Sequence, residues 1–221
     1  MILLLLACAS DPPSPAPPPQ LPAEAVDARH DGPTDWAAVI AEKEAERAAR
    51  DGASLQLDLP LSVEEAYAAI PHRRTAFHPK APGIPDANAR YLQQVFALMD
   101  QGVRARVSGL GDCWQRCQDG ELAAAQLASV AAAVGALEAP PELIDHRSGV
   151  VQALESQGAF FLARAASGEP MKAAGLPSYP EVTAASRHLR QAWQLLKTLH
   201  PEADRDTQDA FFDYHCALDF I

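Results

Sequence analysis

The chain has 221 residues, 48% hydrophobic and 21% charged, a balance that suits one folded domain with a tail and supplies enough apolar surface for a core. Aromatic residues are only 6%, so the core is expected to rest on close-packed, alanine-rich helices more than on aromatic clusters. The net charge of −11 repels phosphate backbones, which excludes nucleic acid as an expected partner, and no stretch approaches the roughly 20 apolar residues of a membrane-spanning helix.

The chain opens Met-Ile-Leu-Leu-Leu-Leu-Ala-Cys-Ala-Ser. An apolar run that ends in a small residue and then cysteine, here Leu5-Leu6-Ala7-Cys8, resembles the processing site of bacterial lipoprotein precursors. The run is six residues long and no Lys or Arg precedes it, both short of the usual signal pattern. The resemblance implies that residues 1–7 are a signal peptide that is removed. It implies that the Cys8 thiol takes a diacylglyceryl group, so that fatty acyl chains of the palmitate kind form a membrane anchor. A place in the bacterial cell envelope follows, and Ala9 after the cysteine, rather than Asp, favours the outer membrane over the inner. Residues 11–33 then carry eight prolines and few apolar side chains. Such a segment cannot bury enough surface to fold and favours extended polyproline conformations. Residues 8–33 therefore read as the lipidated cysteine and a disordered Pro-rich tether, reaching up to ~75 Å at about 3.1 Å per residue. Residues 34–221 read as the folded domain.

From Thr34 the pattern is helical. Thr34 is expected to cap a polar helix to about Arg50, pinned by Trp36, Val39 and Ile40 and ended by Gly52. Leu55, Leu57 and Leu59 alternate with polar residues, as in an extended strap. Ser62 with Glu65 forms a capping box for a short helix that stops before Pro71. Asp86 starts a long helix whose Leu92, Val95, Phe96, Met99, Val103, Val107 and Leu110 make a continuous stripe. Further helices are expected over 121–137, stopped by Pro140-Pro141; over 142–166, with Leu143, Val150, Val151, Leu154, Phe161 and Leu162 apolar; from Pro180 in a first turn; and over 204–220. These elements imply an all-α fold, an up-and-down helical bundle with additional short N-terminal helices.

Four cysteines are present. With Cys8 lipidated, Cys113, Cys117 and Cys216 remain, and export places them in an oxidising compartment. A Cys113–Cys117 disulfide is favoured, a bridge from either to Cys216 or three reduced thiols being the alternatives. Cys216 itself reads as a small buried apolar residue. No metal site is expected: the second half of a zinc pattern would have to be the adjacent His215 and Cys216, which point about 100° apart on a helix. No cofactor is expected either. An interior haem on His188 or Met99 is open to any such bundle, and nothing in the sequence selects it.

The most distinctive cluster is Tyr67, His72, Arg73, Arg74, His78 and Lys80, positive charge within an acidic chain and a candidate anion-binding site. Asp206, Asp209 and Asp213 form an acidic stripe that reads as a solvated face. Phosphate loops, dinucleotide fingerprints and hydrolase or zinc-protease motifs do not occur, so no catalytic residues are nominated. The sequence reads as a membrane-anchored envelope lipoprotein whose helical module serves an envelope protein or the cell wall. The alternatives are carriage of a ligand or cofactor in the bundle interior, and an enzyme of unrecognised type.

Overall fold

The computed structural model describes residues 35, 37–42, 62–68, 70, 75–113, 117–169 and 173–220. The signal segment, Cys8, the Pro-rich tether and the 55–59 strap lie outside the described residues. The chain divides into two units, Met1–Thr34 and Asp35–Ile221, and the described helices belong to the second. Residues 37–42 are helical (α1), followed by α2 (Val63–Ala68), α3 (Asp86–Cys113), α4 (Gly120–Gly135), α5 (Ile144–Ser167), α6 (Pro180–Leu199) and α7 (Arg205–Leu218). Short 3-10 turns, Pro141–Leu143 and Ala173–Ser178, precede α5 and α6, and no strand occurs among the described residues. The fold is all-α, as the periodicity requires.

Local chemistry explains the boundaries. Ser62 Oγ accepts the Glu65 N–H at 3.1 Å while Glu65 Oε2 accepts the Ser62 N–H at 2.7 Å, so the capping box is reciprocal. At α1 the capping oxygen belongs to Asp35, which accepts the Ala38 N–H at 3.1 Å. Pro180 occupies the first turn of α6, where its missing N–H leaves nothing unpaired. Gly168 ends α5 at φ 63°, a left-handed conformation that glycine adopts without strain.

Consecutive helices pack against one another from α3 to α7, and α7 returns to lie along α3, closing the ring; α2 rests on α3. One close crossing is set by Gly109 on α3. A Cβ there would lie 2.6 Å from the Ala123 Cβ on α4 and 2.8 Å from the Phe161 ring on α5. Ala123, Ala124, Ala125 and Ala131 are buried on α4, so this side has the alanine-built packing expected from composition.

The other side does not. Tyr91, Phe96, Phe160, Phe161 and Phe211 are fully buried, and Phe96 stacks on Tyr214 with centroids 4.3 Å apart. A second group forms around Phe160, whose ring meets Phe161, Tyr179 and Phe220 edge-on. Few aromatics suffice for clusters when helical spacing gathers them on facing stripes. Helical rotation also corrects three single-residue expectations. Leu162 is 51% exposed, since the stripe on α5 runs through His146, Val150, Leu154, Gln157 and Phe161 and the next residue turns about 100° away. Phe212 is exposed for the same reason. Asp213 is buried, not solvated, and Cys216 is only half-buried.

Candidate functional site

The helical register places histidines, not just apolar residues, on the buried stripes of α5 and α7. Tyr91 on α3, His146 on α5 and His215 on α7 form one chain of hydrogen bonds through the core. Tyr91 Oη lies 2.8 Å from His146 Nδ1, the two Nε2 atoms lie 3.1 Å apart, and His215 Nδ1 lies 2.7 Å from the Phe211 carbonyl oxygen. A carbonyl only accepts, so His215 Nδ1 carries hydrogen and its Nε2, in the neutral ring, is an acceptor. His146 Nε2–H then donates to it, which leaves His146 Nδ1 to accept the Tyr91 hydroxyl. Every proton is assigned and every ring nitrogen has a partner.

Electrostatics favour that neutral state. The two imidazoles are 0% and 3% exposed. Burial pushes His215 down to about 4 against the opposing pull of its Phe211 bond, and burial followed by proximity to His215 holds His146 well below the usual imidazole range. Burial raises the Tyr91 phenol. This is the chemistry of a pin between three helices. His200, at the end of α6, makes a looser version, its Nε2 lying 3.5 Å from Asn88 Nδ2 at the start of α3.

The C-terminal end of α7 is held by side chains from two other helices. Arg106 on α3 donates Nη2–H to the Ala217 carbonyl at 2.6 Å, and Gln157 on α5 donates Nε2–H to the Leu218 carbonyl at 2.6 Å. A cation suits the carbonyl end of a helix. Arg106 is 5% exposed and lies over the Phe220 ring. Burial lowers it to about 10, while the nearby Asp219 carboxylate opposes the shift. Asp219 Oδ1 accepts the Phe220 N–H and the Ser186 hydroxyl. None of these residues was nominated from sequence. The available signal was the placement of His146 between Leu143 and Val150, and of His215 between Phe211 and Leu218: imidazoles on apolar stripes.

Among the nominated residues, Cys113 and Cys117 are joined by a disulfide, both buried. The bridge ties the last residue of α3 to the segment that enters α4. Cys117 has φ 51°, the only positive value at a non-glycine among the described residues. Its N–H reaches back to the Asp112 carbonyl at 3.1 Å, and Asp112 Oδ2 accepts the Asp119 N–H at 2.6 Å. Cys216 is a free thiol, raised by burial and then by Asp219 and Asp213. Within the candidate anion-binding cluster, Tyr67 is buried near Arg106, whereas His78 and Lys80 are exposed. His72, Arg73 and Arg74 lie outside the described residues, as does Cys8. Asp206 is exposed and Asp209 pairs with Arg205 at 3.7 Å. Met99 is buried in the core, and His188 lines a groove between α5 and α6.

Two surface hollows remain. One, of about 380 Å³, lies between α3 and α4 and is lined by Leu98, Arg104, Ser108, Gln126 and Val130, with Ile40 of α1 beside them. The other, of about 220 Å³, lies between α6 and α7, where Trp193 and Phe212 meet edge-on near Cys216. No helix among the described residues is long and apolar enough to cross a membrane. Comparison with family models, with curated proteins and with solved structures gave no match.

Proposed function

We propose that the chain is a lipid-anchored protein of the bacterial envelope whose helical domain is a binding or structural module for an envelope protein or the cell wall. The carrying observation is the sequence Leu5-Leu6-Ala7-Cys8 followed at once by a tether with eight prolines in residues 11–33. An acylated cysteine, a spacer and a folded body in that order make an anchor that holds the body off the bilayer. More than one acyl chain on one residue is needed for stable anchoring, since a single chain binds only marginally. Two features of the body support the reading. A buried disulfide between Cys113 and Cys117 is a bond that persists where the surroundings are oxidising. The buried Tyr91–His146–His215 chain satisfies its own polar atoms, which suits a rigid body presenting its surface. Ala9 favours the outer membrane as the destination.

The test is fractionation together with intact mass. The native protein is expected in the membrane fraction, with the mass of a chain beginning at Cys8 plus its acyl groups. Cys8→Ala is expected to shift the protein to a soluble fraction. A native chain that keeps Met1 unmodified, or a variant as membrane-bound as the parent, overturns the reading.

A further inference from the structure

We propose that the Cys113–Cys117 corner is a redox-gated site for a thiophilic divalent cation of the zinc class, closed while the disulfide is intact and opened when it is reduced. A zinc pattern completed by His215 and Cys216 fails on helix geometry, but the fold supplies a different third donor. One ligand atom from each of Asp112, Cys113 and Cys117 lies within 4.8 Å of the others. In a tetrahedral site with zinc–sulfur bonds of about 2.3 Å and zinc–oxygen bonds of about 2.1 Å, neighbouring donors stand roughly 3.5–3.8 Å apart. Reduction has to let the two bonded sulfurs part to that spacing, and the Asp112 carboxylate already lies within 4.8 Å of both.

The rest of the corner suits the ion. Two thiolates and a carboxylate carry three negative charges against two positive ones. Cys113 and Cys117 are buried, while Asp112 is half-buried, so of the three ligands only Asp112 is open to water. The Asp119 N–H bond to Asp112 Oδ2 fixes the carboxylate in the way that outer partners fix metal ligands. The first turn of α4 adds a favourable field. Gly120 begins that helix, and a Cβ on it would lie only 3.2 Å from Cys117 Sγ, so the sulfur sits at the N-terminal end of α4, where the helix dipole favours a thiolate.

The chemistry balances. A phosphine and one water convert the disulfide to two thiols and become the phosphine oxide. The cation then displaces both thiol protons, so each ion bound releases two protons. In the oxidised state the sulfurs are bonded to each other and no thiolate is presented.

The experiment uses the full chain in detergent, with Cys8→Ala and Cys216→Ala so that only these two sulfurs remain. The protein is reduced with a water-soluble phosphine, desalted without oxygen and titrated with cobalt(II). The expected result is one cobalt per chain, with a thiolate-to-cobalt band in the near ultraviolet, tetrahedral bands in the visible, and displacement of both by zinc. Below the thiol pKa the apparent affinity is expected to rise about 100-fold per pH unit, the signature of two released protons. The unreduced protein and Cys113→Ser are expected to show no such bands, and Asp112→Asn to bind at least about tenfold more weakly. Because the bridge spans a sequence separation of 4, the reduced chain is expected to keep its helical circular dichroism. The proposal falls if the reduced chain binds no cobalt, if the oxidised chain binds equally well, or if Asp112→Asn leaves affinity unchanged. It falls too if reduction unfolds the chain and zinc does not restore it.

Discussion

Helices α4 and α7 both lie against α3, and they are held there in opposite ways. The buried face of α4 is Leu122, Ala123, Ala124, Ala125, Leu127, Ala131 and Val134, with Gly109 opposite allowing backbones to close in. On α7 the buried face includes Thr207, Asp213 and His215, and its last carbonyls are taken by Arg106 and Gln157. Small apolar contacts decide how near two helices come, because dispersion and burial have little direction. Hydrogen bonds decide at which height and rotation they meet, because their geometry is narrow. One helix is fitted by volume and the other is keyed by polar groups.

Substitutions at the two contacts break this comparison differently. Gly109→Val places two methyl groups where even a Cβ meets Ala123 and Phe161 too closely, and the expected loss is about 3 kcal/mol in urea unfolding, independent of pH. Gly109→Ala is expected to lose less, because alanine regains about 1 kcal/mol of helix propensity. At α7 the loss is pH-dependent. An unfolded histidine takes its proton near pH 6.5, whereas His215 in the fold resists until about 4. Between those values the unfolded chain binds more protons, so stability falls as pH falls, by on the order of 3 kcal/mol for His215 alone. His215→Leu is expected to flatten that slope while losing about 1–3 kcal/mol at pH 7, since His146 Nε2–H is left buried without an acceptor. Urea midpoints from pH 7 to pH 4 measure both, and a parent profile that stays level through this range would refute the neutral pin.

The apolar scaffold was legible in the sequence and the polar keys were not. Leu92, Val95, Phe96 and Met99 recur at helical spacing, and all are buried. The Ser62 and Glu65 pair announced its own hydrogen bonds. His146 and His215, by contrast, stand 69 residues apart, and no local pattern says that two imidazoles on separate stripes will meet. Asp213 misled for a related reason: carboxylates at a spacing of three to four look like a solvated face, and only the position of α6 and α3 around α7 decides which of them is covered. Leu162 and Phe212 show the limit of reading composition one residue at a time, since a neighbour one step along a helix faces another direction.

Two smaller effects sharpen the contrast. Reducing Cys113–Cys117 in the absence of metal opens a ring of sequence separation 4, for which the chain-entropy estimate is about 2 kcal/mol. Because the bridge closes the turn between α3 and α4, the loss is expected to appear first as hydrogen exchange at the start of α4, with the amides of α7 unaffected. Simultaneous loss of protection in both helices would mean that α4 and α7 do not differ in how they are held.

Asp213→Asn probes a buried carboxylate on α7 whose Oδ2 keys nothing. Asp213 is 6% exposed, and its Oδ2 has no hydrogen-bond partner among the described residues. His215 and the helix end each have a partner that would be left unpaired by substitution; Asp213 Oδ2 has none to abandon. Replacing the carboxylate by an amide of the same shape removes a poorly compensated charge, so the variant is expected to match the parent at pH 7 or exceed it by up to about 1 kcal/mol. The same change relieves the nearby Cys216 thiol of one of the carboxylates that raise it, so faster alkylation of Cys216 at a fixed pH is the accompanying readout. A marked loss of stability in Asp213→Asn would mean that this carboxylate is a fourth key on α7, and the division between a fitted helix and a keyed one would then extend along the whole buried face.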